Sequence, residues 1–361
     1  MKKRMDSIQA LRFLACLCIF SHHCYIYDNV FWGVEIFFVL SGFLMAYSYY
    51  PRPALDRRPI ASLRFAAKKV KKLYPLHILT MLPILALAIY AREDMKYVVT
   101  GLIENVLLIQ AWSPEYAISL NGVAWYLSVC AFLYFMFPCI LACLRSYRSR
   151  KTAFIACGVL FIAEFAAASS ATPLGKLIYG ADADLTKYTE WFGYISPLFR
   201  LLDFAVGCNV GYIFLTRSEN EFGGKKALGT AEIICAALFV AAVLISKSES
   251  FLSADEYSRG FLYLPFACAV VYLFADGKGA IPRLLTNRVT VYLGNISACF
   301  FLIHQDVIRI TYMLLDRFYP GMAYYRLILF VVCGIVSVAL SAAYMKLEEL
   351  IRHRATRAYN Q

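Results

Sequence analysis

Residues 10–25 read ALRFLACLCIFSHHCY, an almost wholly apolar stretch that nevertheless carries Arg12, His22 and His23. Its length approaches the roughly 20 residues that an α-helix needs to cross a bilayer. Charged and titratable side chains are costly inside a membrane, and they tend there to face a cavity or a functional site. The stretch therefore predicts a membrane helix that presents polar chemistry on part of its surface.

The rest of the 361-residue chain has the same character. Hydrophobic residues make up 61% of it, in blocks long enough to span a bilayer. Blocks of this length and uniformity exclude barrel strands, so we predict an all-α, polytopic transmembrane helix bundle of about ten spans. The spans are expected near 8–27, 31–50, 73–91, 122–144, 152–169, 197–214, 229–246, 260–275, 291–315 and 324–345.

One apolar run falls outside these spans. VVTGLIENVLLIQAW (98–112) is too short and too interrupted by polar residues for a crossing. We expect it to be an interfacial or re-entrant piece.

The net charge of +12 reflects basic residues in short loops. If the N-terminus is cytoplasmic, the cytoplasmic segments hold 25 of the 36 lysines and arginines and the outer segments hold 7. The positive-inside rule thus places both termini in the cytoplasm and accounts for the charge without a nucleic-acid partner. We expect a single transmembrane domain over 1–345 and a short basic cytoplasmic tail over 346–361.

Helical phase relates the polar residues of the first span. Eleven residues at about 100° each bring Arg12 and His23 within roughly 20° of each other, whereas His22 lies about 80° away. Their axial separation of roughly 16 Å suits the two ends of one channel, with Arg12 towards the cytoplasm. Histidine is suited to general-base catalysis near neutral pH. The alternative is that His23 is interfacial and that Arg12 only sets topology.

Further stretches recur in an ordered series. They are GVEIFFVLSGFLMAYSY (33–49), KKVKKLYP (68–75), AWYLSVCAFLYFMFP (124–138), PLFRLLDFAVG (197–207) and YLGNISACFFLIHQ (292–305). In order and spacing, from the first span to the ninth, the chain resembles the acyltransferase-3 family. Its members are membrane acyltransferases that move acyl groups onto carbohydrates and other extracytoplasmic acceptors.

The resemblance implies catalytic roles for two residues. His23, which follows Arg12 in the family's pattern of a basic residue, ten others and a histidine, corresponds to the essential histidine. Glu35 matches the acid of the second-helix signature and is expected to orient the imidazole of His23 or to stabilise its protonated form. The alternative for Glu35 is an interfacial acid that faces water.

The resemblance also implies a coenzyme A site at the cytoplasmic end of the third span. Lys69 and Lys72 stand where relatives carry arginines, and with Arg12 and Tyr74 they are assigned to binding of the donor. Lysine keeps the positive charge but loses the bidentate geometry of arginine. Ordinary topogenic anchoring and contact with anionic lipids would explain the same lysines.

Four residues are assigned to the acceptor: Ser41, Trp125, Arg200 and His304. Arg200 and Asp203 are three residues apart and can pair on one helix face, in a structural or a functional role. His304 either lines the cavity of His23 or is a hydrogen-bonded structural histidine. Cys130 replaces an acid that many relatives carry, which puts that acid's role in doubt here.

These assignments predict an O-acyltransferase. It would transfer an acetyl group from acetyl-CoA to a hydroxyl of a surface or lipid-linked polysaccharide in a bacterial-type inner membrane. We expect membrane lipid as a partner, and neither a metal nor a permanently bound cofactor. The rival is a transporter or flippase of an acylated or lipid-linked molecule, although the sequence lacks the paired, Gly/Pro-broken spans typical of inverted repeats.

Overall fold

The computed structural model describes residues 5–218, 221, 224–247, 256–322 and 324–359. These residues contain helices and connecting segments but no strand. Fifteen α-helices lie among them: α1 (Asp6–His23), α2 (Phe31–Tyr49), α3 (Pro59–Val70), α4 (Tyr74–Tyr90), α5 (Met95–Leu107), α6 (Trp125–Arg145), α7 (Arg150–Tyr179), α8 (Thr186–Glu190), α9 (Pro197–Leu215), α10 (Lys225–Ser246), α11 (Leu264–Asp276), α12 (Ala280–Leu285), α13 (Arg288–Phe318), α14 (Tyr325–Ile328) and α15 (Gly334–Tyr359).

Short segments with other helical geometry link some of these helices. They are 3₁₀ turns at Gln110–Trp112 and Glu256–Tyr263 and π-helical turns at Trp191–Ile195 and Leu329–Cys333. The first π-helical turn leads from α8 into α9, and the second from α14 into α15.

The predicted all-α membrane bundle is confirmed. Within the described ranges, eight helical stretches are long and apolar enough to cross a membrane, or nine if the bent pair α3–α4 is one span. Each of the ten predicted spans falls on a helix. The first, α1, is less apolar than these stretches, because polar residues occupy both of its ends. The cytoplasmic placement of the termini stays a prediction.

Two helices extend past their predicted ends. α7 was expected to stop at 169 but continues to Tyr179 through Pro173, because a proline inside a membrane helix is tolerated. α15 continues from Gly334 to Tyr359, so the predicted tail prolongs this helix. Residues 1–4 and 360–361, including the basic N-terminal residues, lie outside the described ranges.

The run expected to be interfacial forms α5. Asp94 caps its start by accepting a hydrogen bond from the Lys96 backbone amide at 3.0 Å, and Leu108 ends it with φ of 56°. Thirteen residues span only about 20 Å as a helix, which is less than a hydrocarbon core of about 30 Å. α5 therefore does not cross the bilayer by itself.

The most extensive helix packing among the described residues joins α2 and α9. A Cβ placed on Gly42 would lie 2.1 Å from the Phe204 carbonyl oxygen, and one on Gly207 would lie 2.1 Å from that of Val39. Small residues allow such backbone approach, which replaces the hydrophobic effect as a source of helix association in lipid. A similar approach joins α1 to α13, since a Cβ on Gly294 would lie 1.9 Å from the Gln9 carbonyl oxygen.

The α2–α9 packing predicts that Gly207→Ala destabilises the protein by at least about 1–3 kcal/mol, the usual cost of overpacking a filled core. The measurement is the fraction that stays monodisperse in detergent after heating. Gly158→Ala, on an exposed face of α7 with nothing within 4 Å of the added methyl group, is the matched control. Equal thermal stability of the two variants would contradict the packing argument.

Candidate active site

Two cavities open at opposite ends of α1. The first has a volume of about 370 Å³ and is lined by His22, His23, Trp125, Gln305 and Asp306 among others. We call it the histidine cavity. His23 is the last residue of α1 and lines this cavity.

The second cavity, called the arginine cavity, has a volume of about 300 Å³. Arg12, Ser41 and Lys69 line it. The Ser41 hydroxyl lies 3.3 Å from the Tyr134 hydroxyl, within hydrogen-bond distance. The ammonium of Lys69 lies 4.4 Å from the centroid of the Tyr49 ring, a cation–π distance. The cavity thus combines two positive charges with hydroxyl groups.

Among the residues that the structure describes, one aromatic residue borders both cavities. Phe301 lines the histidine cavity and the arginine cavity. Its ring packs against Tyr126 at 5.4 Å and against Phe37 at 6.0 Å between centroids, and those two rings are 5.9 Å apart. We call these three residues the aromatic wall. Phe301 therefore borders both the space beside Arg12 and the space beside His23.

Three histidine rings gather at the end of α1. His23 lies 5.4 Å from His22 and 5.2 Å from His304 between ring centroids. His304 is fully buried in α13, and its Nδ1 lies 2.8 Å from the Phe301 carbonyl oxygen and 3.2 Å from that of Phe300. The α1–α13 packing therefore brings together two histidines that are far apart in sequence.

A second group of charges lies inside the bundle. The Arg200 Nη1 donates to Glu35 Oε1 at 2.5 Å and to Asp203 Oδ2 at 2.7 Å, and its Nε donates to the Tyr194 carbonyl at 2.7 Å. The side chains of Arg200, Glu35 and Asp203 are all 0% exposed. The pair that the three-residue spacing predicted in α9 thus exists, and a residue of α2 extends it.

Glu164 of α7 joins this buried ionic cluster, which we define as Glu35, Glu164, Arg200 and Asp203. Oxygens of the three carboxylates lie within 4.8 Å of one another, the one such metal-binding arrangement in the part of the chain that the structure describes. Arg200 already supplies a positive partner to two of them. The expectation of no metal stays untested.

The structure separates two residues that the sequence assigned to catalysis together. The polar partner of Glu35 in the structure is Arg200, and Glu35 is absent from the residues that line the histidine cavity. Its second oxygen, Oε2, is buried and has no hydrogen-bond partner among the described residues. A role for Glu35 at His23 stays a prediction, without a contact between the two.

The residues assigned to donor binding also lie in separate places. Arg12 and Lys69 share the arginine cavity, whereas Lys72 lines a third cavity of about 880 Å³ together with Lys346 and Arg352 of α15. The Tyr74 hydroxyl donates to the Val106 carbonyl oxygen at 2.8 Å. Tyr74 therefore ties α4 to α5 and is not among the residues that line the arginine cavity.

The residues assigned to the acceptor lie in three places. Trp125 and His304 are near His23, Ser41 lines the arginine cavity, and Arg200 belongs to the ionic cluster.

Sequence reasoning missed several cavity residues. The aromatic wall and the polar pair Gln305 and Asp306 were not predicted to contribute to a site. The polar run His304-Gln305-Asp306 inside an apolar span was the signal that could have found the pair.

Comparison with known proteins agrees with the pattern of motifs. The model of the acyltransferase-3 family, described as an acyltransferase domain, matches residues 5–346. Acyltransferase MdmB of Streptomyces mycarofaciens is 27% identical over 341 residues, which cover 86% of this chain and 81% of MdmB. No solved structure matched the chain. The family match includes both cavities and the ionic cluster.

Arg200→Met tests the ionic cluster. The substitution leaves buried carboxylates without their counter-charge, and we expect a loss of about 3–5 kcal/mol, as for other buried pairs that lose one partner. The measurement is again the fraction that remains monodisperse on heating.

Arg58→Met is the matched control, because Arg58 is 84% exposed in its pair with Asp56. We expect no change in that variant. Wild-type heat resistance in Arg200→Met would show that the cluster does not hold the helices together.

Proposed function

The chain belongs to the acyltransferase-3 family, and on that basis we propose that it transfers an acetyl group from acetyl-CoA to a hydroxyl of a surface or lipid-linked polysaccharide. It is a multi-pass membrane acyltransferase. The observation that carries the finer proposal is the pair of cavities at the two ends of α1, one basic and one lined by histidines, with Phe301 bordering both.

The arginine cavity suits the donor. Coenzyme A carries phosphates, and Arg12 and Lys69 would attract them by charge. The distribution of lysine and arginine favours a cytoplasmic side for this cavity. In the bacterial-type inner membrane that we propose, acetyl-CoA would be available on that side. The pantetheine arm would then extend along α1 and carry the thioester past the aromatic wall.

The histidine cavity suits an acceptor rich in hydroxyl groups. Oδ2 of Asp306 and Oε1 of Gln305 are buried oxygens without a hydrogen-bond partner in the described part of the chain. Both residues line this cavity. Such oxygens accept hydrogen bonds, so a polyhydroxylated ligand would satisfy them. Trp125 adds an aromatic surface for the apolar face of a sugar ring.

His23 would act as the general base. A ring nitrogen removes the proton of the acceptor hydroxyl while the hydroxyl oxygen attacks the thioester carbonyl carbon. The tetrahedral intermediate collapses, the carbon–sulfur bond breaks, and the protonated imidazole returns the proton to the thiolate of coenzyme A. The products are the O-acetyl ester and free coenzyme A.

The rival function, transport of an acylated or lipid-linked molecule, receives less support. A transporter would need a polar path through the bundle. The intramembrane charges Arg200 and Glu164 belong instead to the ionic cluster and are absent from the linings of both cavities.

The test is acetyl transfer by the purified protein in lipid nanodiscs, with radiolabelled acetyl-CoA and surface glycan as acceptor. His23→Ala should lower transfer by about 10²–10⁴-fold, the usual contribution of general acid–base catalysis. His353→Ala, which alters a histidine with 71% side-chain exposure, should leave transfer unchanged. Unaltered labelling in His23→Ala would overturn the mechanism, and glycan flux without labelling would favour the transporter.

Phe301→Ala tests the aromatic wall. Removing the ring should join the cavities and admit water to the thioester, so hydrolysis of acetyl-CoA without acceptor should rise several-fold. Phe318→Ala is the control, because Phe318 is 64% exposed, and it should hydrolyse acetyl-CoA at the wild-type rate. Equal hydrolysis in both variants would show that Phe301 does not separate water from the donor.

A further inference from the structure

The proton on His304 can be located from its contacts. Nδ1 of His304 faces two backbone carbonyl oxygens, those of Phe300 and Phe301. Carbonyl oxygens only accept hydrogen bonds, so Nδ1 must carry the hydrogen. In the neutral ring, Nε2 then has a lone pair and acts as an acceptor.

Among the rings that pack on His304, one belongs to a polar residue. The ring of His304 packs on Phe300 at 5.7 Å, Phe301 at 5.8 Å and Phe20 at 5.9 Å, and on His23 at 5.2 Å. Nε2 is buried and has no hydrogen-bond partner among the residues of the described ranges. Three of these four rings are hydrocarbons, so His23 is the one among them that can donate a hydrogen bond.

We propose that His304 is a positioning residue for His23: its Nε2 accepts a hydrogen bond from one N–H of His23 and thereby keeps the other nitrogen of His23 unprotonated towards the substrate. The terminal torsion of histidine is broad, so rotation of the His23 ring can bring its N–H to Nε2. This inference rests on the proposed role of His23 as a base.

The pairing of Glu35 with Arg200 leaves His23 without the acid that was expected to orient it. A catalytic histidine needs a third group that fixes its tautomer and ring orientation. The acid that the sequence assigned to this task, Glu35, binds Arg200 instead. His304 is fixed by two helix carbonyls and contacts His23, so it can take that place through a neutral nitrogen.

Two substitutions of His304 distinguish a role in positioning His23 from a role in helix packing. In His304→Gln, the side-chain oxygen reaches the place of Nε2 and can accept from His23, but the bond to the carbonyls is lost. In His304→Asn, the amide nitrogen reaches the place of Nδ1 and keeps that bond, but nothing accepts from His23. If His304 has only a structural role, His304→Asn should be the more active variant. If His304 positions His23, His304→Gln should be the more active one.

We expect kcat for acetyl transfer to fall about 100-fold in His304→Asn, within the range of acid–base effects, and to stay within about tenfold of wild type in His304→Gln. KM for acetyl-CoA should change little in either variant. Thermal stability should show the opposite order, with His304→Gln the less stable. His77→Asn is the control, because His77 is also fully buried and bonds a backbone carbonyl, that of Asn105, away from both cavities.

Activity equal to or higher in His304→Asn than in His304→Gln would overturn the inference while leaving His23 as the base. Absence of transfer by the wild-type protein would instead overturn the proposed function. If the variants do not fold, nitrogen-15 NMR of histidine-labelled wild-type protein decides, since the chain has 5 histidines. A single His23 tautomer is expected, and a mixture of tautomers would contradict positioning by His304.

Discussion

The guanidinium of Arg200 is the interaction on which the arrangement of helices depends. It lies in an apolar surrounding, within 5.3–5.6 Å of the ring centroids of Phe38, Tyr194 and Phe199, and binds acids of two helices. A charge in such a place is tolerable only when it is paired, so α2 and α9 cannot slide past each other without a large energetic cost. The glycine contacts between the same helices fix their distance, and the ionic cluster fixes their register.

That register determines which residues of α2 reach each cavity. Val34 faces the histidine cavity, whereas Phe37 and Ser41 face the arginine cavity, although all three lie within about two turns of helix. The segment before α6 closes the other side, since the Asn121 amide donates to Thr80 Oγ1 and to the Leu302 carbonyl, each at 2.9 Å. A buried polar framework thus holds two compartments whose own walls are mostly apolar.

The sequence predicted the features that depend on local periodicity. Helical phase selected Arg12 and His23, which line the two cavities, and the spacing of three residues predicted the Arg200–Asp203 pair. Local periodicity could not predict the partner of Glu35, because Arg200 is 165 residues away in the chain and contacts Glu35 only through helix packing.

Bends between helices were equally hard to foresee. Lys69 and Lys72 fit one motif, but α3 and α4 meet at a 65° bend and the two lysines face different cavities. Two residues of one sequence motif therefore lie on different surfaces of the folded protein.

The aromatic wall has a consequence for the cell as well as for the reaction. A membrane that stores energy as a voltage loses about 2.3 kcal/mol per elementary charge for every 100 mV when an ion crosses unproductively. The rings of Phe37, Tyr126 and Phe301 pack against one another, and an apolar layer of this kind is unfavourable for an ion to cross. If the acyl group passes this layer as proposed, rings that close around it would let it through without a leak of ions across the membrane.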